Sequence, residues 1–333
     1  MRILVTGGAG FIGTNLLIYL LKKKDYEVVC IDSLSYASNN HYLHLVEEHS
    51  DRFKFFKVDI TDYNKIEKVV KDFCPNRIMH LAAESHVDNS ILNPDAFIRS
   101  NIIGTYNLLQ NAKKLYEKEN FQNNGFLFHH ISTDEVYGDL HIDEPAFTEE
   151  SSYKPSSPYS ASKAASDHLV RAWNRTYGLP TVITNCSNNY GPFQNQEKLI
   201  PTIILKLLRD EKVPIYGEGK NIRDWLYVED HAEALELCMA NSSPNETYNI
   251  GGNAEKTNID VFQTICRELA KIINKDYEDL LSKMEFVVDR PGHDARYAIN
   301  INKINNDFKW KPKYSFDKAI KETINWYLGK IEI

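Results

Sequence analysis

Apolar and polar positions in the first half of the chain follow two alternating rhythms. Short runs rich in β-branched and aromatic residues stand at 2–7 (RILVTG), 26–32 (YEVVCID), 53–60 (FKFFKVDI), 77–83 (RIMHLAA), 125–132 (GFLFHHIS) and 180–187 (PTVITNCS). Their length and composition predict buried strands. Between them lie stretches with helical periodicity, at 11–23, 63–73, 96–118 and 159–177. In 63–73, for example, Ile66, Val69, Val70 and Phe73 fall on one face. Strands alternating with helices predict a parallel sheet covered on both faces, because each crossover lays a helix on the sheet. The expected fold class is α/β, a doubly wound parallel sheet.

After about residue 187 the rhythm breaks. Loops rich in Asn, Gly, Pro and aromatics appear: NNYGPFQNQEKLIP, PIYGEGKNIRDW and VVDRPGHDARY. The expected division is a first lobe over 1–187 and a smaller, loop-rich substrate lobe over 188–333. VEDHAEALELCMAN and ETYNIGG, within about 224–252, read as a helix and a strand that return to the first lobe. A length of 333 residues suits two domains or one large one.

The bulk numbers narrow the function classes. Hydrophobic residues at 42% and charged residues at 26% give an ordinary globular balance. A net charge of -7 argues against a surface built for nucleic acid, while local Arg, Lys and amides still suit a small anion. Cys30, Cys74, Cys186, Cys238 and Cys266 are odd in number and scattered, which points to reduced thiols and away from a disulfide framework or zinc cage. RILVTGG follows Met1 directly, so no signal peptide is expected, and FIGTNLLIYLL is too short to span a bilayer. A cytoplasmic protein with no membrane partner and no metal is expected. His41, His44 and His49 have no trustworthy ligand spacing and read as surface residues, and His129 and His130 read as structural.

TGGAGFIG lies between the first strand and the first helix. Gly7, Gly10 and Gly13 space as G-x-x-G-x-x-G, and Gly8, Gly10 and Gly13 as G-x-G-x-x-G. Residues without side chains let the backbone turn tightly, approach a pyrophosphate and pack helix on strand, and the helix N-terminus favours phosphate. The placement at the start of a β-α-β unit makes this a Rossmann-type dinucleotide site. Asp32 ends the second strand. A carboxylate there accepts hydrogen bonds from a ribose diol and repels a 2′-phosphate, which favours NAD over NADP. Asp59, ending the third strand, is placed to hold the adenine amino group.

Tyr159 and Lys163, in YSASK, share one helix face. A phenol titrates near pH 10 in water, and a neighbouring ammonium is expected to lower that value. Tyrosine then serves as a base toward an alcohol whose carbon gives up hydride. With the glycine loop, this pair resembles the extended short-chain dehydrogenase/reductase superfamily. That resemblance implies Thr133 as the hydroxyl partner of Tyr159.

Asp134 and Glu135 directly follow Thr133. Oxidation of an alcohol acidifies the proton on the neighbouring carbon, so one carboxylate as base and one carboxylic acid as proton donor can expel water. Neighbouring carboxyls suit this, because one negative charge raises the other's pKa. To reach one sugar face the two side chains need an irregular turn, since neighbours in a strand point apart. STDEVYG, LAAESHVDNSI, PSSPYSASKAASDHLVRAW, NCSNNYGPFQNQEKLIP, IRDWLYVEDH, YNIGG and DRPGHDARYAIN, in this order along nearly the whole chain, resemble the dTDP-glucose 4,6-dehydratase family. Related epimerases and decarboxylases share the glycine loop and Y-x-x-x-K but generally lack Asp-Glu after the threonine. An idle NAD-sensing protein on this fold would not need the full set of Thr133, Asp134, Glu135, Tyr159 and Lys163.

The resemblance implies a hydro-lyase. Tyr159, helped by Lys163 and Thr133, deprotonates the glucose 4-hydroxyl while hydride passes from carbon 4 to NAD. Glu135 takes the carbon 5 proton, Asp134 protonates the departing 6-hydroxyl, and hydride returns to carbon 6. The product would be dTDP-4-dehydro-6-deoxyglucose, for deoxysugar biosynthesis such as that of rhamnose. It implies that Gly7, Gly10, Phe11, Ile12, Gly13, Asp32, Ser33, Asp59, Ile60, Leu81, Ala82, Ala83, Ser100 and Asn189 line NAD, together with Tyr159 and Lys163. It implies that Ser85, Thr133, Asn188, Lys198, Leu199, Pro214, Tyr216, Arg223, Asn258, Arg290 and His293 line dTDP-glucose, with Arg223 on the diphosphate. A homodimer through 96–118 and 159–177 is expected. Two departures stand out: a short 139–154 connection, and Gln196 where the family commonly has Pro.

Overall fold

A computed structural model describes residues 1–22, 26–39, 43, 51–119, 121, 125–289 and 291–330. Six strands come from the first half: β1 (Arg2–Thr6), β2 (Glu27–Asp32), β3 (Phe53–Lys57), β4 (Arg77–His80), β5 (Leu127–Thr133) and β6 (Thr181–Cys186). Three short strands follow, β7 (Asn188–Tyr190), β8 (Val213–Tyr216) and β9 (Ile222–Tyr227). Then β10 (Glu246–Ile250) pairs with β6 and completes a seven-stranded sheet in the order β10-β6-β5-β4-β1-β2-β3. Every pairing in it is parallel. The order reverses between β1 and β4, which opens a crevice at the carboxyl ends of those strands.

Alternation along the strands sorts side chains to the two faces. Ile3, Val5, Val28 and Cys30 join Leu16, Leu17 and Leu20 of the Phe11–Lys22 helix, with Leu235 and Met239 of the Val228–Asn241 helix. Leu4, Val29 and Ile31 point the other way, to Val69 and Val70 of the Tyr63–Phe73 helix and to Leu108, Leu109 and Ala112. The Pro158–Tyr177 helix begins where its sequence says: Ser157 and Ser160 form a reciprocal capping box, and Pro158 takes the first turn. Gly178, at φ +67°, ends it in the left-handed conformation.

The helix expected at 96–118 is divided. An α-helical Pro94–Phe97 and a π-helical Ile98–Ile103 precede the α-helix Gly104–Glu119. The wider turn carries Asn101, whose Nδ2 donates to Glu84 O (3.0 Å) and Ser162 Oγ (2.8 Å) while its Oδ1 accepts from Glu84 N (2.8 Å). Those contacts tie the cofactor-side loop to the Tyr159 helix.

The second lobe has its own apolar cluster, including Tyr190, Ile203, Ile204, Phe262, Ile265 and Ile320. Around it β9 pairs with β7, β11 (Glu255–Thr257) and β13 (Arg296–Tyr297), while β8 pairs with β12 (Met284–Val287). Among the described residues, no helix is long and apolar enough to cross a membrane.

Candidate active site

The glycine loop is shaped by close approaches. Gly7 sits at φ +75°, where a Cβ would come within 2.6 Å of Ala82 N. A Cβ on Gly13 would fall on the Gly7 carbonyl oxygen. At Gly10 the tightest neighbour would be that same oxygen, at 3.3 Å, and Gly10 lines a cavity of about 440 Å³ at the crevice. Of the residues expected around NAD, Gly7, Gly10, Phe11, Ile12, Gly13, Asp32, Ser33, Asp59, Ile60, Leu81, Ala82, Ala83 and Ser100 line this cavity. Ser85 and Lys198 reach it from the two lobes, and Lys198 Nζ donates to Ser85 O at 3.2 Å.

Asp32 is almost fully buried at the cavity wall. Its Oδ1 accepts from Leu34 N (2.8 Å) and the Ser38 hydroxyl (3.4 Å), and its Oδ2 accepts from Ala9 N (3.0 Å). A carboxylate has about four acceptor positions, so Oδ2 keeps capacity for a ribose hydroxyl. The open Gly10 backbone and this carboxylate, on one cavity at the topological switch point, fit a dinucleotide whose adenosine ribose bears no 2′-phosphate.

Three expected cofactor residues lie outside that wall. Asn189 turns inward, with Nδ2 donating to Ser187 O (2.9 Å) and Oδ1 2.8 Å from His231 Nδ1. Tyr159 and Lys163 lie buried beside the cavity floor, which is made by Ile131, Ser132 and Cys186 at the carboxyl ends of β5 and β6. The sequence reading did not name those three. Their place at strand ends beside the switch point is the signal that would have found them.

Thr133 ends β5 in extended conformation, and Asp134–Val136 form a 3-10 turn, the irregular turn that the carboxyl pair needs. Thr133 Oγ1 accepts from Glu135 N at 3.3 Å and donates to Asp134 Oδ1 at 3.4 Å, and its hydroxyl lies close enough to Tyr159 to oppose the rise of the phenol's pKa. The turn is held from behind by Asn185 Nδ2 on Thr133 O (3.1 Å) and by Tyr137 OH on Asn249 Oδ1 (2.9 Å). Asp134 is buried, and its Oδ2 has no hydrogen-bond partner in the protein. Burial, then the charges of Glu135 and Asp224, push its carboxyl well above the usual range. Burial beside a second carboxyl thus favours the protonated form of this acid.

The oxidising pair differs from expectation. Burial, followed by the charges of Glu135 and Cys186, pushes the Tyr159 phenol well above its ordinary value, and the Thr133 hydrogen bond opposes them. The net shift is upward even with Lys163 four residues along the same helix. The Lys163 ammonium donates to Ile131 O at 2.8 Å, and burial pulls its own value down. Desolvation here outweighs the pair attraction that spacing alone suggests.

A family described as GDP-mannose 4,6 dehydratase matches residues 4–323. A dTDP-glucose 4,6-dehydratase of Salmonella typhimurium is 53% identical over 344 aligned residues, spanning 100% of this chain and 94% of that protein. The chain belongs to the dTDP-glucose 4,6-dehydratase family. Solved members have the same fold. The enzyme from Bacillus anthracis, in complex with NAD, matches with a TM-score of 0.86 at 40% identity, over 100% of this chain and 98% of that one. The enzyme from Streptomyces venezuelae, also with NAD bound, reaches 0.89 at 39% identity, over 99% of this chain and 97% of that one.

The substrate residues implied by the dTDP-glucose 4,6-dehydratase family are dispersed. Arg223 is nearly buried: Nη1 donates to Ile222 O (2.7 Å), Nη2 donates to Asp294 O (2.8 Å), and the guanidinium lies 4.3 Å over the Tyr297 ring. Its charge acts on Asp134, which puts it on the side of the acid pair. Tyr297 donates its hydroxyl to the Asp294 carboxylate, and burial, then Glu135, raise its pKa. Tyr297 and Asp294 are thus neighbours of the acid pair that the sequence reading missed. Tyr216 and His293 meet edge to face with centroids 6.3 Å apart, and His293 Nδ1 lies 2.6 Å from Asp289 Oδ1. Pro214 precedes Tyr216 on β8, Asn188 lies on β7, and Leu199 and Asn258 begin helices. These six residues do not line the first cavity, and Arg290 lies outside the described residues.

The two departures from the dTDP-glucose 4,6-dehydratase family have local accommodations. Gln196 O accepts from the Thr202 hydroxyl (2.8 Å) and Lys198 N donates to Asn195 O (3.2 Å), so the turn before the Leu199–Leu208 helix closes without proline. In the short connection, Asp139 Oδ1 accepts from Ala295 N (2.7 Å) and Arg296 N (3.1 Å), which fastens it to β13. His129 and His130 are buried on β5, with His129 Nε2 3.0 Å from the Thr184 hydroxyl. His41, His44 and His49 lie outside the described residues. Among the described residues, no group of three His, Cys, Asp or Glu side chains is placed to hold a metal ion.

Proposed function

We propose that this chain converts dTDP-glucose to dTDP-4-dehydro-6-deoxyglucose and so supplies deoxysugar biosynthesis. It is a hydro-lyase, and NAD is its cofactor. The observation that carries the reading is the buried Asp134 carboxyl next to Glu135, its Oδ2 without a hydrogen-bond partner, in a turn whose capping hydroxyl, Thr133, lies close to Tyr159. One end of that constellation suits oxidation and the other suits elimination.

Tyr159 takes the proton of the 4-hydroxyl, with Thr133 orienting the phenol. Bound NAD supplies the reversible hydride acceptor. Glu135 removes the proton from carbon 5, made acidic by the new carbonyl, and later returns it. Asp134 gives its proton to the 6-hydroxyl, which leaves as water. Over the cycle Tyr159 gains one proton and Asp134 loses one. The Thr133 hydroxyl lies near the phenol and donates to Asp134 Oδ1 at 3.4 Å, so it stands between the two.

The protein acts in the cytoplasm as a homodimer. Supporting the dimer, Ile91, Leu92, Ile98, Ile103 and Tyr106, along the segment that leads into the Gly104–Glu119 helix, are exposed, as is Tyr177 at the end of the Pro158–Tyr177 helix. Exposed apolar side chains on two packed helices suit a second copy. The function is tested by incubating the purified protein with dTDP-, UDP- and GDP-glucose and analysing products by mass. Loss of one water from dTDP-glucose is expected. An epimer of unchanged mass, or no turnover of dTDP-glucose, refutes the reading.

A further inference from the structure

The four-residue spacing of Tyr159 and Lys163 continues down the Pro158–Tyr177 helix. Asp167 and Arg171 follow at the same interval, so phenol, ammonium, carboxylate and guanidinium stand along one face. Asp167 has no exposed surface. A carboxylate so placed is costly unless its charge is matched. We propose that Asp167 is a positioning residue for the oxidation: its carboxylate is the buried counter-charge of the Lys163 ammonium, and Tyr153 and Asn185 hold it there as an anion. This rests on the reading of Tyr159 and Lys163 as the oxidising pair.

The surroundings of Asp167 are built for an anion. Tyr153 OH donates to Oδ2 at 2.8 Å, and Asn185 Nδ2 donates to the same oxygen at 3.3 Å. His130 Nε2 lies 3.2 Å from Oδ1 without hydrogen-bond geometry, so that oxygen has no hydrogen-bond partner. Behind Tyr153, Arg171 Nη2 donates to the phenol oxygen (3.0 Å) and the guanidinium sits 4.9 Å over the ring. Burial pushes the Asp167 carboxyl up, but His130 and the Lys163 charge more than offset it and hold it below the usual carboxylate range.

The other groups facing Lys163 supply no negative charge near neutral pH. His80 on β4 and His130 on β5 are kept neutral by burial, His130 being pulled down to about 4. The Cys186 thiol on β6 is pushed up to about 12, by burial first. The hydrogen-bond acceptor of Lys163 is a neutral carbonyl, Ile131 O. Glu135 acts on Tyr159, one turn earlier. Asp167 is the group that opposes the desolvation of Lys163 most strongly. Without it, a buried ammonium gives up its proton more readily. Tyr159 and Lys163 titrate as a pair, so a more readily deprotonated Lys163 takes a larger share of the singly deprotonated state, and phenolate beside ammonium becomes a smaller share of it.

The test measures kcat for oxidation of dTDP-glucose against pH in the NAD-loaded wild type, Asp167→Asn, Lys163→Ala and the double variant. Asp167→Asn is expected to lower the plateau about tenfold, the effect of one pKa unit in the balance of the pair. It should also move the rising limb to lower pH, whereas Lys163→Ala moves that limb to higher pH. In the Lys163→Ala background, Asp167→Asn should cost little more. Additive losses in the double variant, or a uniform loss in Asp167→Asn with the limb unmoved, overturn the proposal. If Asp167→Asn yields no folded protein, Asp167→Ser is measured with the same expectations. A Lys163→Ala profile matching the wild type would instead strike at the oxidising-pair reading.

Discussion

The Thr133 hydroxyl accepts the backbone N–H of Glu135 at 3.3 Å, across the turn that follows β5. In a continuing strand, Asp134 and Glu135 would point to opposite faces. The capped turn places one carboxyl in a buried site near Asp224 and Arg223, while the other sets its charge against Tyr159 and Tyr297. The different environments of the two acids therefore begin with a side-chain cap.

Asp134→Asn removes the proton donor while leaving Tyr159 and Lys163 in place. Water loss should stall after oxidation, and absorbance of reduced nicotinamide, at about 340 nm, should build up with little 6-deoxy product. Glu135→Gln should instead suppress exchange of the carbon 5 proton in deuterated solvent. If both variants lose oxidation and elimination in equal proportion, the acids serve only to hold the turn or the substrate.

Tyr159→Phe should slow oxidation of carbon 4 by roughly a hundredfold or more, the scale of a lost general base. Stopped-flow measurement of cofactor reduction checks it. Because burial and Glu135 hold the phenol high, the wild-type rate should rise with pH as the phenol gives up its proton. A flat profile together with near-normal oxidation by Tyr159→Phe would remove Tyr159 from the role.

Asp32 sets cofactor choice. Unfolding the purified protein should release a dinucleotide without a 2′-phosphate. Asp32→Asn should narrow the preference for NAD over NADP by about tenfold, since an amide no longer repels phosphate. Titration of the two cofactors measures this, and a wild type that binds NADP as tightly as NAD contradicts it.

Asp134 also ties activity to stability. Its folded pKa lies above the unfolded value near 3.8, so the folded state holds a proton that the unfolded chain releases. Between those two values stability falls as pH rises. Asp134→Asn, neutral at every pH, should melt at a higher temperature than the wild type at pH 8 and show a smaller difference at pH 4. Thermal unfolding followed by circular dichroism decides it; a variant less stable at pH 8 would show that the acid is not buried at a cost.

Much of this protein is local and was legible in the chain. Strand placement follows from short runs of β-branched and aromatic residues, whose alternate side chains, Ile3 and Val5 against Leu4, fill the two faces of the sheet. The ends of the Pro158–Tyr177 helix follow from Ser157, Pro158 and Gly178, and the glycine loop and its Asp32 follow from their spacing. The candidate residue types were readable because oxidation and elimination each demand particular groups.

What the tertiary structure alone decided concerns distance and burial between remote segments. It set Tyr297, Asp294 and Arg223 of the second lobe around the acid pair and turned Asn189 toward His231. The π-helical turn at Ile98–Ile103 and the raised Tyr159 phenol belong to the same class. Desolvation and charge coupling depend on which groups lie within a few ångströms in space, and residues far apart in the chain supply them. No local spacing encodes that, so the chain by itself offers candidate groups and the fold decides their burial and charge environment.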